Sequence, residues 1–211
     1  MIERHFDLAR LLQPCAPAIF FRQYWGQRPL LLLRRQIEYY AALFSMRNAD
    51  AVLRLASLRY PDLQLLNKER QAVPLERFGR MQTASRHDSG VPEVSHLYGA
   101  YAQGGIIFVH ALQKYWQTIA ALCRNLEQSF THPVNADLYL AHKDSPGFRP
   151  HFHTHDEFIL QIAGRELWRL YDVMPLMSGN HRPQPLLQEE LPPPEHENDL
   201  QPGDLLYIPR G

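Results

Sequence analysis

Hydrophobic positions recur along this chain with two different periods. Between Ala111 and Phe130, the residues Leu112, Trp116, Ile119, Leu122, Leu126 and Phe130 return at helical spacing. That stripe predicts an amphipathic helix over 111–130 packed on a core. Nearer the N-terminus, HFDLARLL reads as a short amphipathic helix. Pro17 then stands at a first-turn position and opens a second helix, which Gly26 closes. Asn48 and Asp50 are each placed to cap a further helix over AVLRLASL. The apolar run PLLLLRR (29–35) reads as a buried strand, and GGIIFVH (104–110) as another. After residue 135 the period shortens. ADLYLAH (136–142), HFH (151–153), DEFILQIAG (156–164), RELWRLYD (165–172) and DLLYIP (204–209) are strand-sized runs separated by turn residues. The polar, proline-rich stretch between Met177 and Pro202 is expected to be a surface loop. The pattern predicts a mainly β fold with N-terminal helices, an α+β protein built around a barrel.

Composition narrows the function. Across 211 residues, 45% are hydrophobic and 21% charged, the balance of a globular chain. Lys and Arg together number 22, as do Asp and Glu, so no basic footprint for nucleic acid is evident. No apolar run approaches the roughly 18 residues of a membrane span, and MIERHFDLARLL lacks the apolar core of a signal peptide. Cys15 and Cys123 do not make a disulfide framework, so a cytoplasmic setting is expected. Of the 11 histidines, four fall between His142 and His155.

That cluster carries the candidate chemistry. In PHFHTHDEF, His151 and His153 lie two residues apart and would share one face of a strand. His155 and Glu157 have the same parity if the strand runs on. Imidazole nitrogens and a carboxylate at this spacing form a ligand set for Fe, Mn, Ni or Zn. The apolar Phe152 and Phe158 would then face the core. His142 stands apart and reads as structural or solvated.

With these residues in view, the sequence resembles a known family. PGFRPHFHTHDEFILQIAGRELWRLYD (146–172), together with LQPGDLLYIPRG (200–211), is similar to the cupin-like JmjC oxygenases, in their ribosomal-oxygenase branch. FRQYWGQRPLLLLRR (21–35) resembles that branch's Tyr-Trp-x-x-x-Pro-Leu-Leu segment. The helix over 111–130 followed by PVNADLYLAHKDSPGF (133–148) falls where the family has a long helix and a barrel strand. The resemblance implies a double-stranded β-helix (a cupin or jelly-roll barrel) over 101–211, with residues 1–100 as a helical part packed against it. It implies Fe(II) and 2-oxoglutarate, hydroxylation of a protein side chain (a ribosomal protein among the candidates), and a homodimer. His151 matches the family's first metal ligand. His153 stands where the family has an acid, and Glu166 where it has the Lys or Arg that pairs with 2-oxoglutarate. Arg165, Lys143 and Tyr139 are the residues expected near the co-substrate instead. The family's distal His follows Pro-Arg-Gly-x-x-His, and the sequence here ends at Gly211, so the barrel is expected to be truncated before its last strands.

A second pattern overlaps the first. His151-x-His153-x(3)-Glu157-x(6)-Gly164 also fits the first motif of germin-type cupins, and Gly203-x(5)-Pro209-x-Gly211 fits the start of their second. The expected metal ligands are therefore His151, His153 and Glu157. The alternatives to an oxygenase are a His-His-Glu-His metal-binding cupin that does not use 2-oxoglutarate, and a non-catalytic binding barrel.

Overall fold

The structure, a computed structural model, describes residues 6–67, 71–82, 89–145, 147–171 and 192–210. Among them the strands are β1 (Leu30–Leu32), β2 (Leu63–Leu66), β3 (Gly79–Gln82), β4 (Ser89–Pro92), β5 (Ile106–Val109), β6 (Leu138–Ala141), β7 (Glu157–Leu160), β8 (Glu166–Leu170), β9 (His196–Leu200) and β10 (Leu205–Ile208). The α-helices are α1 (Leu8–Leu12), α2 (Pro17–Gln23), α3 (Met46–Leu53), α4 (Val94–Ala102) and α5 (Gln117–Phe130). None of the described helices is long and apolar enough to cross a membrane. The chain clusters into two compact units that interleave in sequence: residues 1–7 with 46–147, and residues 8–45 with 148–211.

In the unit of residues 46–147, β5 is the centre of a three-stranded antiparallel sheet in the order β2-β5-β6. One face is built from alternating apolar residues: Leu63, Leu65, Ile107, Val109 and Leu138 are buried. The opposite face carries Gln64, Phe108 and Tyr139 in one cross-strand row. Helix α5 buries Ile119, Leu122, Cys123, Leu126 and Phe130, as its stripe requires. It starts six residues later than the pattern predicts. Ala111 takes a left-handed conformation at φ 54° and Trp116 is extended, so Leu112–Lys114 forms a separate 3-10 turn. Thr131, also left-handed, ends the helix. Helix α3 begins at Met46, so neither Asn48 nor Asp50 caps it. The Asp50 carboxylate instead accepts from Arg54, one turn on, and from the Tyr98 hydroxyl.

In the unit of residues 8–45 and 148–211, β10 is the central strand of the sheet β1-β10-β7. Its run Leu205, Leu206 and Tyr207 is fully buried, which explains the continuous apolar sequence of a strand covered on both faces. The expected strand 29–35 contracts to β1, which pairs Leu30 with Tyr207. Helix α2 starts on Pro17, whose missing N–H costs nothing at that position, and Gly26 beyond it has φ +64°. HFH (151–153) is not a strand. Most of the expected loop over 177–202 lies outside the described residues, but its end is β9, which pairs antiparallel with β8. The period-two apolar signal fails there because the pair is dressed with charge: Arg169 meets Glu197 at 2.6 Å and Arg165 meets Asp199 at 3.5 Å.

Two residues tie the N-terminal segment of this unit to the turn before β10. Arg34 donates to the carbonyls of Leu11, Gln13 and Gly203 and to the Tyr40 hydroxyl, and its guanidinium lies 4.3 Å from the Tyr39 ring centroid. Asp204, with no exposed surface, accepts from the backbone N–H groups of Arg35 and Gln201 and pairs with the Arg35 guanidinium at 3.1 Å. A buried carboxylate is stable only when its lone pairs are taken up in this way.

Candidate metal centre and relation to known proteins

The histidine cluster lies in the loop that enters β7. His151 to Asp156 precede the strand, and Glu157 is its first residue. The expected face-sharing of a strand therefore does not apply before Glu157, yet the side chains still converge. The Nε2 atoms of His151 and His153 lie 2.9 Å apart. The Glu157 carboxylate oxygen Oε1 stands 3.6 Å from Nδ1 of His153 and 3.3 Å from Nε2 of His155. One donor atom each from His153, His155 and Glu157 falls within 4.8 Å of the others. Atoms bound at about 2 Å to one ion stand roughly 3–4 Å apart; the two Glu157 separations are of that order, whereas His151 meets the opposite ring nitrogen of His153 and as placed does not share that ion. The donor set, imidazole nitrogen with carboxylate oxygen, suits Fe, Mn, Ni or Zn.

Of the expected ligands, the structure thus brings His153 and Glu157 together and sets His151 against His153. His155 joins them. Burial holds His153 below the usual imidazole range, and the charges of His151 and His155 add to this against the opposing pull of Glu157. The neutral form favoured there is the one that can bind a metal.

Asp156 lies between two members of the cluster but faces the other way. Its carboxylate accepts from the Tyr207 hydroxyl at 2.6 Å, and that hydroxyl accepts from the Gly26 N–H at 2.9 Å. Tyr207 is fully buried against Phe20, Trp25 and Phe158. Burial, reinforced by the Asp156 bond, pushes its hydroxyl far above the usual phenol range. Sequence reasoning missed this pair. The only local signals were an aspartate between ligand-type residues and one hydroxyl in the apolar run of β10.

The residues expected near a co-substrate fall in both units. Arg165, in the turn before β8, belongs to the same unit as the cluster and lies 3.5 Å from Asp199. Tyr139 and Lys143 belong to the other unit. Tyr139 packs on Phe108 with ring centroids 4.6 Å apart, and Lys143 pairs with Asp144 at 3.2 Å. Glu166 accepts from the Trp168 indole N–H.

The JmjC domain family model matches residues 109–211. The chain is 30% identical to "Ribosomal oxygenase 1" of Rattus norvegicus over 206 residues, covering 95% of this chain and 32% of that protein. It is likewise 30% identical to the "Bifunctional lysine-specific demethylase and histidyl-hydroxylase NO66" of Drosophila willistoni, over 97% of this chain and 26% of the relative. The chain thus spans about a third or less of the length of these relatives. Among solved structures, E. coli ycfD superposes with a TM-score of 0.58 at 21% identity, covering 92% of this chain and 47% of that one. The ribosomal oxygenase YcfD in complex with cobalt and 2-oxoglutarate gives 0.55, also at 21% identity, over 92% of this chain and 45% of that one. The fold is thus the cupin-type fold of JmjC proteins, here α+β with antiparallel sheets. Residues 109–211 thus match the JmjC domain, and the chain is similar to that family's ribosomal-oxygenase branch.

Proposed function

We propose that this chain is a metal- and 2-oxoglutarate-dependent oxygenase domain that hydroxylates a protein side chain, with a ribosomal protein as the substrate class. The observation that carries this reading is the grouping of His153, His155 and Glu157 at the start of β7, with His151 against the other nitrogen of His153. The names of the relatives and the cobalt and 2-oxoglutarate complex of YcfD support it. His151, His153 and Glu157 are the ligands assigned to Fe(II), with His155 beside them. When bound, Fe(II) and 2-oxoglutarate supply the oxidising power by which O₂ and a C–H bond give C–OH, succinate and CO₂. The chain's own residues do the rest. His153 presents a neutral imidazole, and Glu157 supplies the anionic donor. Arg165 is the cation assigned to the co-substrate carboxylate. Its pair with Asp199 is exposed, and such pairs contribute only about 0–1 kcal/mol, so the guanidinium can turn to a ligand. A cytoplasmic setting and a homodimer complete the reading.

The test is anaerobic loading with Fe(II), followed by titration with 2-oxoglutarate and detection of succinate and of a mass gain of one oxygen on ribosomal protein. Saturable, metal-dependent 2-oxoglutarate binding is expected, with metal affinity lowered by Glu157→Gln. Stoichiometric metal without 2-oxoglutarate binding would replace the reading with a His-His-Glu cupin, for which Glu166 at the family's basic position is the motive. Absence of metal uptake would leave a non-catalytic barrel.

A further inference from the structure

We infer that Tyr207, buried on β10, is a positioning residue for the histidine cluster. Its hydroxyl holds Asp156 and thereby fixes the backbone that carries His155 and Glu157. The inference rests on the metal-centre reading above and deepens it. The hydrogen bonds described for His151, His153 and His155 all fall within residues 149–157. They tie the segment to itself and, through His155, to Glu157, the first residue of β7. The ladder between β7 and β10 reaches only to Glu157, opposite Ile208. Asp156 is the next residue out, and its bond spans 51 positions to Tyr207.

Around this point the chain alternates. Asp156 and Phe158 turn toward Tyr207, with the Phe158 ring centroid 5.0 Å from that of Tyr207. His155 and Glu157, of the opposite parity, meet each other. Freeing Asp156 would release the rotation of the segment that sets which residues converge. Tyr207 is well built for such a hold. Phe20 lies edge-on at 4.9 Å and Trp25 stacks at 5.9 Å, so the ring is fixed. Its hydroxyl accepts from Gly26 and donates to Asp156, which orients the proton toward the carboxylate.

Groups that orient metal ligands without touching the metal change affinity by about 10- to 100-fold when removed. The test uses the full chain and Co(II) as the probe, read by its visible absorption and by equilibrium titration. Histidine ring NMR signals of the metal-free protein give a second readout. Tyr207→Phe is expected to keep the far-UV circular dichroism of the wild type, to weaken Co(II) binding about tenfold or more, and to shift the His155 ring signals. Asp156→Ala should do the same, and the double variant should be no worse than either single one. Asp156→Asn keeps an acceptor oxygen and should restore most of the affinity. Should Tyr207→Phe fail to fold, the two Asp156 variants carry the comparison. Equal Co(II) affinity and unshifted histidine signals in the variants would overturn the positioning role alone. Failure of the wild type to bind Co(II) would overturn the metal reading and this inference with it.

Discussion

Removing the Asp204 carboxylate should unfold part of this protein more readily than removing the cation paired with it. Asp204 accepts from the N–H groups of Arg35 and Gln201, each at 2.9 Å, and has no exposed surface. Arg35 adds its guanidinium at 3.1 Å, but that side chain is 38% exposed. In Asp204→Ala the two N–H groups lose their acceptor. Hydrogen bonds to a charged group contribute about 1.5–3 kcal/mol each, so the two together give about 3–6 kcal/mol. Partial access of water through the exposed side of Arg35 brings this toward about 3–5 kcal/mol, the range for breaking a buried charged network. Arg35→Met removes only the half-exposed pair and should cost about 1 kcal/mol or less. Asp204→Asn, which retains one acceptor oxygen, should fall between them. Urea unfolding followed by tryptophan fluorescence reads these differences. With a slope of about 2 kcal/mol/M, Asp204→Ala should lower the midpoint by roughly 1.5–2.5 M. Native-state hydrogen exchange should show lost protection at the Arg35 and Gln201 amides. If Asp204→Ala lies within about 1 kcal/mol of the wild type, or if Arg35→Met costs more than Asp204→Ala, the backbone-acceptor reasoning fails.

Other substitutions test other parts of the structure. A Cβ at Gly203 would lie 2.2 Å from the Gln36 carbonyl oxygen at φ +93°, whereas one at Gly26 meets nothing within 4 Å at φ +64°. Gly26→Ala should therefore cost only the left-handed backbone term of about 1–2 kcal/mol, and thermal melts should show Gly203→Ala to be clearly the worse. Burial pushes the Asp62 carboxyl up, but hydrogen bonds from Lys114 and Tyr115 outweigh it and hold it below the usual carboxylate range. Its contribution to stability is then present above the ordinary carboxylate pKa and lost as pH falls through the lower folded value. Tyr115→Phe with Lys114→Met should flatten the loss of stability between about pH 5 and pH 2 in acid titrations. Burial pushes the Cys123 thiol up to about 11, while Cys15 is only partly buried. Iodoacetamide at pH 8 should label Cys15 first in the native protein, as peptide mass spectrometry would show.

The parts of the fold that were legible in the sequence are those in which neighbouring residues share one environment. The stripe of α5 was readable because Ile119, Leu122, Leu126 and Phe130 face the same core. Its extension to Leu112 and Trp116 failed because apolar spacing continues across a chain break in conformation that only Ala111 and Trp116 reveal. β10 was readable as a buried run, whereas β9, with the sequence HENDL, was hidden because charges opposite β8 replace apolar alternation. α4 was missed altogether, since it buries only Leu97 among the described side chains and so carries almost no stripe.

The site follows the same division. Its candidate ligands lie within seven residues, so their chemistry could be read from spacing even though the strand assumed for His151 and His153 is a loop. Local spacing brings ligand atoms near one another but leaves the segment free to turn as a whole. What stops that turning lies elsewhere in sequence. Tyr207 and Gly26 are 181 positions apart and reach the cluster through Asp156. β1 and β7 lie on opposite sides of β10, so the Leu30–Tyr207 and Tyr207–Phe158 pairings place one tyrosine in register with both. A cluster dictated by local sequence is thus held in place by contacts that only the fold provides, and a change at Tyr207 should be felt at histidines with which it shares no direct hydrogen bond.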